Sequence, residues 1–212
     1  MKLLRHYIRT LLREDISVGA FHGFGMTPQQ MRLPDCSTVW DNPEQETGCP
    51  LFPGTGKVTG EELDKAIQYL DEEQPESLVA YSRGGAILLQ ALTDGATRPG
   101  TIFLVAPAWR RKWVGSLDAS LFSGGGSVIH GGMDDKVPLR HSVELAIASG
   151  LPLHVVPEAN HINILKYKMS TPGGPVTNDQ LVAAMKSLPD WGADGQASKE
   201  ELDVQFKWAS SL

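Results

Sequence analysis

The chain has 212 residues, 41% of them hydrophobic and 21% charged, with a net charge of -6; this composition suits an ordinary globular core and excludes disordered and membrane-spanning classes. At this length one domain over residues 1–212 is expected. The acidic balance supplies no field to gather phosphate backbones, so nucleic acid is excluded as the expected partner.

Residues 1–14 read as an amphipathic helix. Leu4, Tyr7, Ile8, Leu11 and Leu12 share one stripe, while Lys2, Arg5, Arg9 and Arg13 lie largely off it. Charges break every apolar run here, which excludes a secretory signal, and no later stretch is long enough to span a bilayer. A cytoplasmic protein without integral membrane association is therefore expected. The apolar stripe is expected to pack on its own domain, with docking on a membrane surface, a second copy or another protein as the alternative.

From Ile16 onward, short β-branched or aromatic runs alternate with longer helical patterns, the mark of a parallel sheet with helices on both faces. Six strands are predicted, over residues 16–21, 37–40, 77–81, 101–105, 127–130 and 153–156. Thr27-Pro28-Gln29-Gln30 and Thr59-Gly60-Glu61-Glu62 each open a helix with the capping-box pattern. Residues 41–56, rich in Pro, Gly and acidic side chains, form a long excursion suited to a pocket rim. Cys36 and Cys49 lack both C-x-x-C spacing and a nearby histidine, so they read as thiols in a reducing compartment rather than as zinc ligands; a disulfide between them stays open. A helix over 84–92 is apolar almost all round and stops at Asp94-Gly95. Residues 140–149, ending at Gly150, predict a more exposed helix. The extension 170–212 holds Pro172-Gly173-Gly174-Pro175 and two weak helix patterns, the second opened by Ser198-Lys199-Glu200-Glu201.

Ser77-Leu78-Val79-Ala80-Tyr81-Ser82-Arg83-Gly84-Gly85 runs from a strand through one tight turn into the buried helix, with Ser82 at the turn. A serine held there as a nucleophile needs small residues two before and two after it. Ala80 and Gly84 meet that need, although the usual pattern has glycine at the first position. The plainer alternative makes Ser82 only a helix N-cap. A hydroxyl at neutral pH requires a base to take its proton and an acid to orient that base. His130-Gly131-Gly132-Met133-Asp134-Asp135-Lys136-Val137-Pro138 follows the fifth predicted strand and offers Asp134 or Asp135. Val155-Val156-Pro157-Glu158-Ala159-Asn160-His161 places a histidine past the last strand, with His130, His141 and His154 as rivals.

These segments together resemble the α/β-hydrolase superfamily, whose members commonly read H-G-x-x-D-x-x-V-P around the acid, as His130 to Pro138 does, and whose chain order is Ser, Asp, His. The resemblance spans residues 16–164. It implies a three-layer α/β-hydrolase fold in a minimal version, with about six mainly parallel strands, and a triad of Ser82, Asp134 and His161. Phe21-His22-Gly23-Phe24-Gly25 resembles the family's His-Gly loop, implying the backbone amides of Phe24 and Arg83 as the oxyanion hole. Trp109-Arg110-Arg111-Lys112-Trp113 stands where the superfamily often inserts a lid, and reads either as a solvated helix face or as a lid edge over the pocket. Trp109 and Trp113, with Met26 and Met133, are the candidate pocket lining. The implied reaction is hydrolysis of a small-molecule carboxylic ester through an acyl-enzyme, with no metal or organic cofactor. A thioesterase or peptidase of the same fold, or a binding protein with an idle triad, are the alternatives.

Overall fold

The computed structural model describes residues 18–24, 26, 28–31, 58–109, 117–168, 173–191 and 197–212. Five of the six predicted strands fall within them: β1 Val18–Phe21, β2 Ser77–Tyr81, β3 Thr101–Val105, β4 Gly126–Gly131 and β5 Leu153–Val156. They form one parallel sheet in the order β1-β2-β3-β4-β5. The predicted strand at 37–40, the N-terminal helix, the excursion at 41–56, Cys36, Cys49 and Trp113 lie outside the described residues.

Local chemistry sets the helices. In α1 (Gly60–Glu73) the Thr59 hydroxyl accepts from the Glu62 amide while the Glu62 carboxylate accepts from the Thr59 amide, a reciprocal cap. Residues Arg83–Thr93 form α2, Leu139–Ser149 α3, Asn178–Ser187 α4 and Lys199–Ala209 α5. Thr177 and Ser198 close capping boxes on α4 and α5, which is why two weakly patterned segments still start cleanly. The helix expected after Thr27 is, among the described residues, a single 3-10 turn at Pro28–Met31.

Side chains alternate along every strand between two cores. Phe21, Leu78, Ala80, Ile102, Leu104, Val128 and Leu153 point to one face, and Ala20, Val79, Tyr81, Val105, Ile129 and Val156 to the other. Because the strands advance in one direction across the sheet, right-handed crossovers bring α1, α2 and α3 to the same face. The first core accordingly gathers residues of all three, such as Leu70, Ile87 and Val143, together with Leu181, Ala184 and Leu188 of α4 and its exit. Met31 and Ile164, from short 3-10 turns, pack into the second core.

One expectation is corrected here. The helix at 140–149 was expected to be the more exposed one, yet α3 buries Leu139, His141, Ser142, Val143, Leu145, Ala146 and Ser149. The extension is the reason. Along with its apolar side chains, the Val176 amide donates to the Leu153 carbonyl at 2.8 Å, and Arg140 Nη1 donates to the Leu188 carbonyl at 3.3 Å. Among the described residues no helix is long and apolar enough to cross a membrane.

Candidate active site

The turn after β2 holds Ser82 in a backbone conformation that few L-residues adopt, φ 51 and ψ -119. Its surroundings leave it no other choice. The Ser82 amide donates to the Val105 carbonyl at 3.0 Å, and its carbonyl accepts from the amides of Gly85 at 3.0 Å and Ala108 at 2.9 Å. Strain of this kind persists only where neighbours over-determine it. Gly84 is required by close approach: a Cβ there would lie 2.2 Å from the Phe21 carbonyl oxygen. Although Ser82 occupies the N-cap position of α2, its side chain makes no capping bond.

That side chain instead meets His161. Ser82 Oγ lies 2.9 Å from His161 Nε2, and His161 Nδ1 lies 2.7 Å from Asp134 Oδ2. With the imidazole neutral, Nδ1–H donates to the carboxylate and Nε2 accepts the serine proton, the tautomer a general base needs. Asp134 is fully buried. Its other oxygen, Oδ1, accepts from the Lys136 and Val137 amides, each at 2.9 Å. Burial pushes this carboxyl up, but the His161 hydrogen bond, the neighbouring histidine charges and the Val137 amide outweigh it and hold the group below the usual carboxylate range. Asp135, the alternative acid, is half-exposed and pairs with Lys136 at 3.1 Å.

Two further side chains support this arrangement: Tyr81, which the sequence did not single out, and His130, which it offered only as a rival base. The Tyr81 hydroxyl donates to the His161 carbonyl at 2.7 Å, with the two rings 5.0 Å apart. Burial raises the Tyr81 pKa well above its ordinary value, keeping the hydroxyl a donor. His130 sits under the Asp134 turn. Its Nε2 donates to the Val137 carbonyl at 3.0 Å, so its Nδ1 accepts from Ser142 Oγ at 2.6 Å. Burial pushes His130 down to about 4, which leaves the ring neutral at pH 7. The three rival histidines thus lie away from Ser82: His130 is fixed beneath the turn, His141 Nε2 lies 3.1 Å from Asp190 Oδ1, and His154 is buried in β5.

The loop after β1 runs against the serine. A Cβ on Gly23 would lie 2.7 Å from a Tyr81 ring carbon and 3.2 Å from Ser82 Cβ. Next to it, His22 Nδ1 donates to the Gly23 carbonyl at 2.8 Å, and the Met26 amide reaches the same oxygen at 3.3 Å. A trans peptide opposes its C=O and N–H, so the Phe24 amide faces the other way. Among the described residues nothing engages it. Arg83 turns its side chain away from the serine: its guanidinium grips Glu62 through two bonds, at 2.7 and 2.6 Å, both residues buried. This pair, too, went unread, because Glu62 already had a role as the cap of α1.

The candidate lining residues separate. Met133 is 48% exposed beside Asp134, and Phe24 is 59% exposed, as is Ile162 at 76% beside His161. Met26 is partly buried and packs against the second core. Trp109 is corrected from lid edge to interior: it is 2% exposed and part of the first core, because Ala108 is tied back to the Ser82 carbonyl.

No protein-family model matches the chain, and neither does any curated protein. Among solved structures it is similar to the ydeN gene product of Bacillus subtilis, at 20% identity and a TM-score of 0.50, with 68% of this chain and 87% of that one covered. Two others are a predicted CIB-like hydrolase from Thermoplasma acidophilum (21% identity, TM-score 0.49, 82% and 87% covered) and a proposed α/β-superfamily hydrolase from Xanthomonas campestris (17%, 0.47, 92% and 98%). Five parallel strands in sequence order and a left-handed serine between the second strand and a buried helix give this chain the fold of the α/β-hydrolases.

Proposed function

We propose that this chain is a serine hydrolase that cleaves carboxylic esters. The observation that carries the reading is the unbroken chain from Ser82 Oγ through both nitrogens of His161 to a buried Asp134, at 2.9 and 2.7 Å. Ser82 attacks the ester carbonyl as His161 takes its proton. The imidazolium is steadied by Asp134 and then returns the proton to the leaving alkoxide. Water repeats the sequence on the acyl-enzyme. The Phe24 amide, which has no partner among the described residues, and the Arg83 amide at the start of α2 are suited to the tetrahedral oxyanion. Exposed Phe24, Met133 and Ile162, each beside one of the working loops, favour an ester with an apolar group.

The test is covalent labelling with a fluorophosphonate, paired with turnover of chromogenic esters of graded chain length. Wild-type chain is expected to label at one serine, and Ser82→Ala to lose labelling and about 10⁴- to 10⁶-fold in kcat. Asp134→Asn is expected to be crippled while Asp135→Asn stays near wild type. Labelling that persists in Ser82→Ala would refute the assignment of the nucleophile.

A further inference from the structure

The C-terminal helix α5 touches the Asp134 turn through one polar side chain. Gln205 is fully buried, and its amide spans three backbone groups. Oε1 accepts from the Leu139 amide at 2.8 Å, while Nε2 donates to the carbonyls of Gly132 and Asp134, each at 3.1 Å. These partners fix which way the amide points, since an N–H only donates and a carbonyl only accepts. Every hydrogen of Nε2 is used.

The placement is what matters. Gly132 and Leu139 bracket the turn, and Asp134 is the residue within it that meets His161. Leu139 also opens α3, whose N-cap Pro138 has no side-chain acceptor, so Gln205 caps α3 from another helix. The inside of the turn is closed by Asp134 Oδ1 on the Lys136 and Val137 amides, and the outside by Gln205. One helical turn on, Ala209 seals the contact: a Cβ on Gly132 would meet its Cβ at 2.7 Å. Gln205 and Ala209 are the buried residues of α5, and Gln205 supplies the directional part of the helix's hold on this turn, while Ala209 and the partly buried Trp208 supply apolar packing.

We propose that Gln205 is a positioning residue that holds the Asp134 turn in register with His161, making the C-terminal extension part of the working site. The inference rests on the reading of Ser82, His161 and Asp134 as a triad. A carboxylate displaced by even an ångström stops orienting the imidazole, an error that costs about 10²-fold in rate.

The experiment compares the full-length chain with Gln205→Met, which is close in length but has neither donor nor acceptor. Probes are p-nitrophenyl acetate, a fluorophosphonate, and the far-downfield proton resonance of His161 Nδ1–H. The variant is expected to melt cooperatively, to lose about 10²-fold in kcat with KM unchanged, to label correspondingly slowly, and to lose or shift that resonance. A folded variant with wild-type kcat, labelling and resonance overturns the inference, as does a loss of rate that matches only a smaller folded fraction. Should Gln205→Met not fold, Gln205→Glu keeps the acceptor for Leu139 but turns an oxygen toward two carbonyls; the same losses are expected, and wild-type behaviour again overturns the inference. The two readings come apart in the wild type. If it does not label, the hydrolase reading fails, while the resonance in Gln205→Met still decides whether Gln205 sets the His161–Asp134 geometry.

Discussion

At the scale of single residues, the site is a set of buried polar groups each given a partner. His130 ties stability to pH. Burial holds it at about 4 in the folded chain against 6.5 for the free side chain, so as pH falls the unfolded chain takes up the proton first. Its contribution is therefore whole above about pH 6.5 and is lost as pH falls from 6.5 toward 4. Urea unfolding measured at pH 7.5 and 4.5 is expected to show wild-type stability dropping by about 2 to 3 kcal/mol through this group. Burial lowers His22 and His154 as well, and they add to the drop in the same sense. His130→Asn isolates the share of His130: the variant should be less stable at pH 7.5 by about 1 to 3 kcal/mol, with a shallower pH dependence. An unchanged slope would contradict the assignment.

At the scale of elements, the strand-turn-helix from Ser77 to Thr93 does the most. It was legible because its signals are local: an apolar run of period two, a small residue on each side of Ser82, then an apolar helix. What the local signals could not show is why Gly84 must be glycine. Its Cβ would strike the backbone of Phe21, 2.2 Å from the oxygen and 2.5 Å from the carbon, and a backbone cannot swing aside. Gly84→Ala is expected to cost at least about 1 to 3 kcal/mol, seen as a lower melting temperature. Pushing β1 away also moves the loop bearing Phe24, so fluorophosphonate labelling should slow by about 10²- to 10³-fold, the loss typical of one oxyanion donor. A wild-type melt together with wild-type labelling would show that β1 yields more easily than this geometry allows.

At the scale of the whole molecule, the described parts of the extension, residues 173–191 and 197–212, contribute to the core. Val176, Leu181, Ala184, Leu188 and Ala209 are buried in the first core, and α4 covers the outer side of α3. Each large apolar side chain so buried is worth about 1.5 to 3 kcal/mol, and several together approach the whole folding margin of about 5 to 15 kcal/mol. A chain ending at Lys168 is thus expected to lose its cooperative transition in calorimetry. A truncated chain melting within a few degrees of the full one would show the extension to be an appendage after all.

By itself the sequence determined the parallel sheet, since strands declare themselves through alternation and helices through caps such as Thr59 with Glu62 and Ser198 with Glu201. It also determined the order of serine, acid and histidine, because each stands at the end of a strand. Residue chemistry alone left Asp134 and Asp135 open, since both follow β4 within one turn; only the resemblance chose between them, and in the structure it is Asp134 that faces His161. The tertiary structure alone brought together Arg83 and Glu62, 21 residues apart, Tyr81 and His161, 80 apart, and Gln205 with Gly132, 73 apart. Such pairs leave no periodic trace in a chain. They form because a buried donor or acceptor must find a partner wherever the fold places one, and the fold places α5 against the turn that carries Asp134.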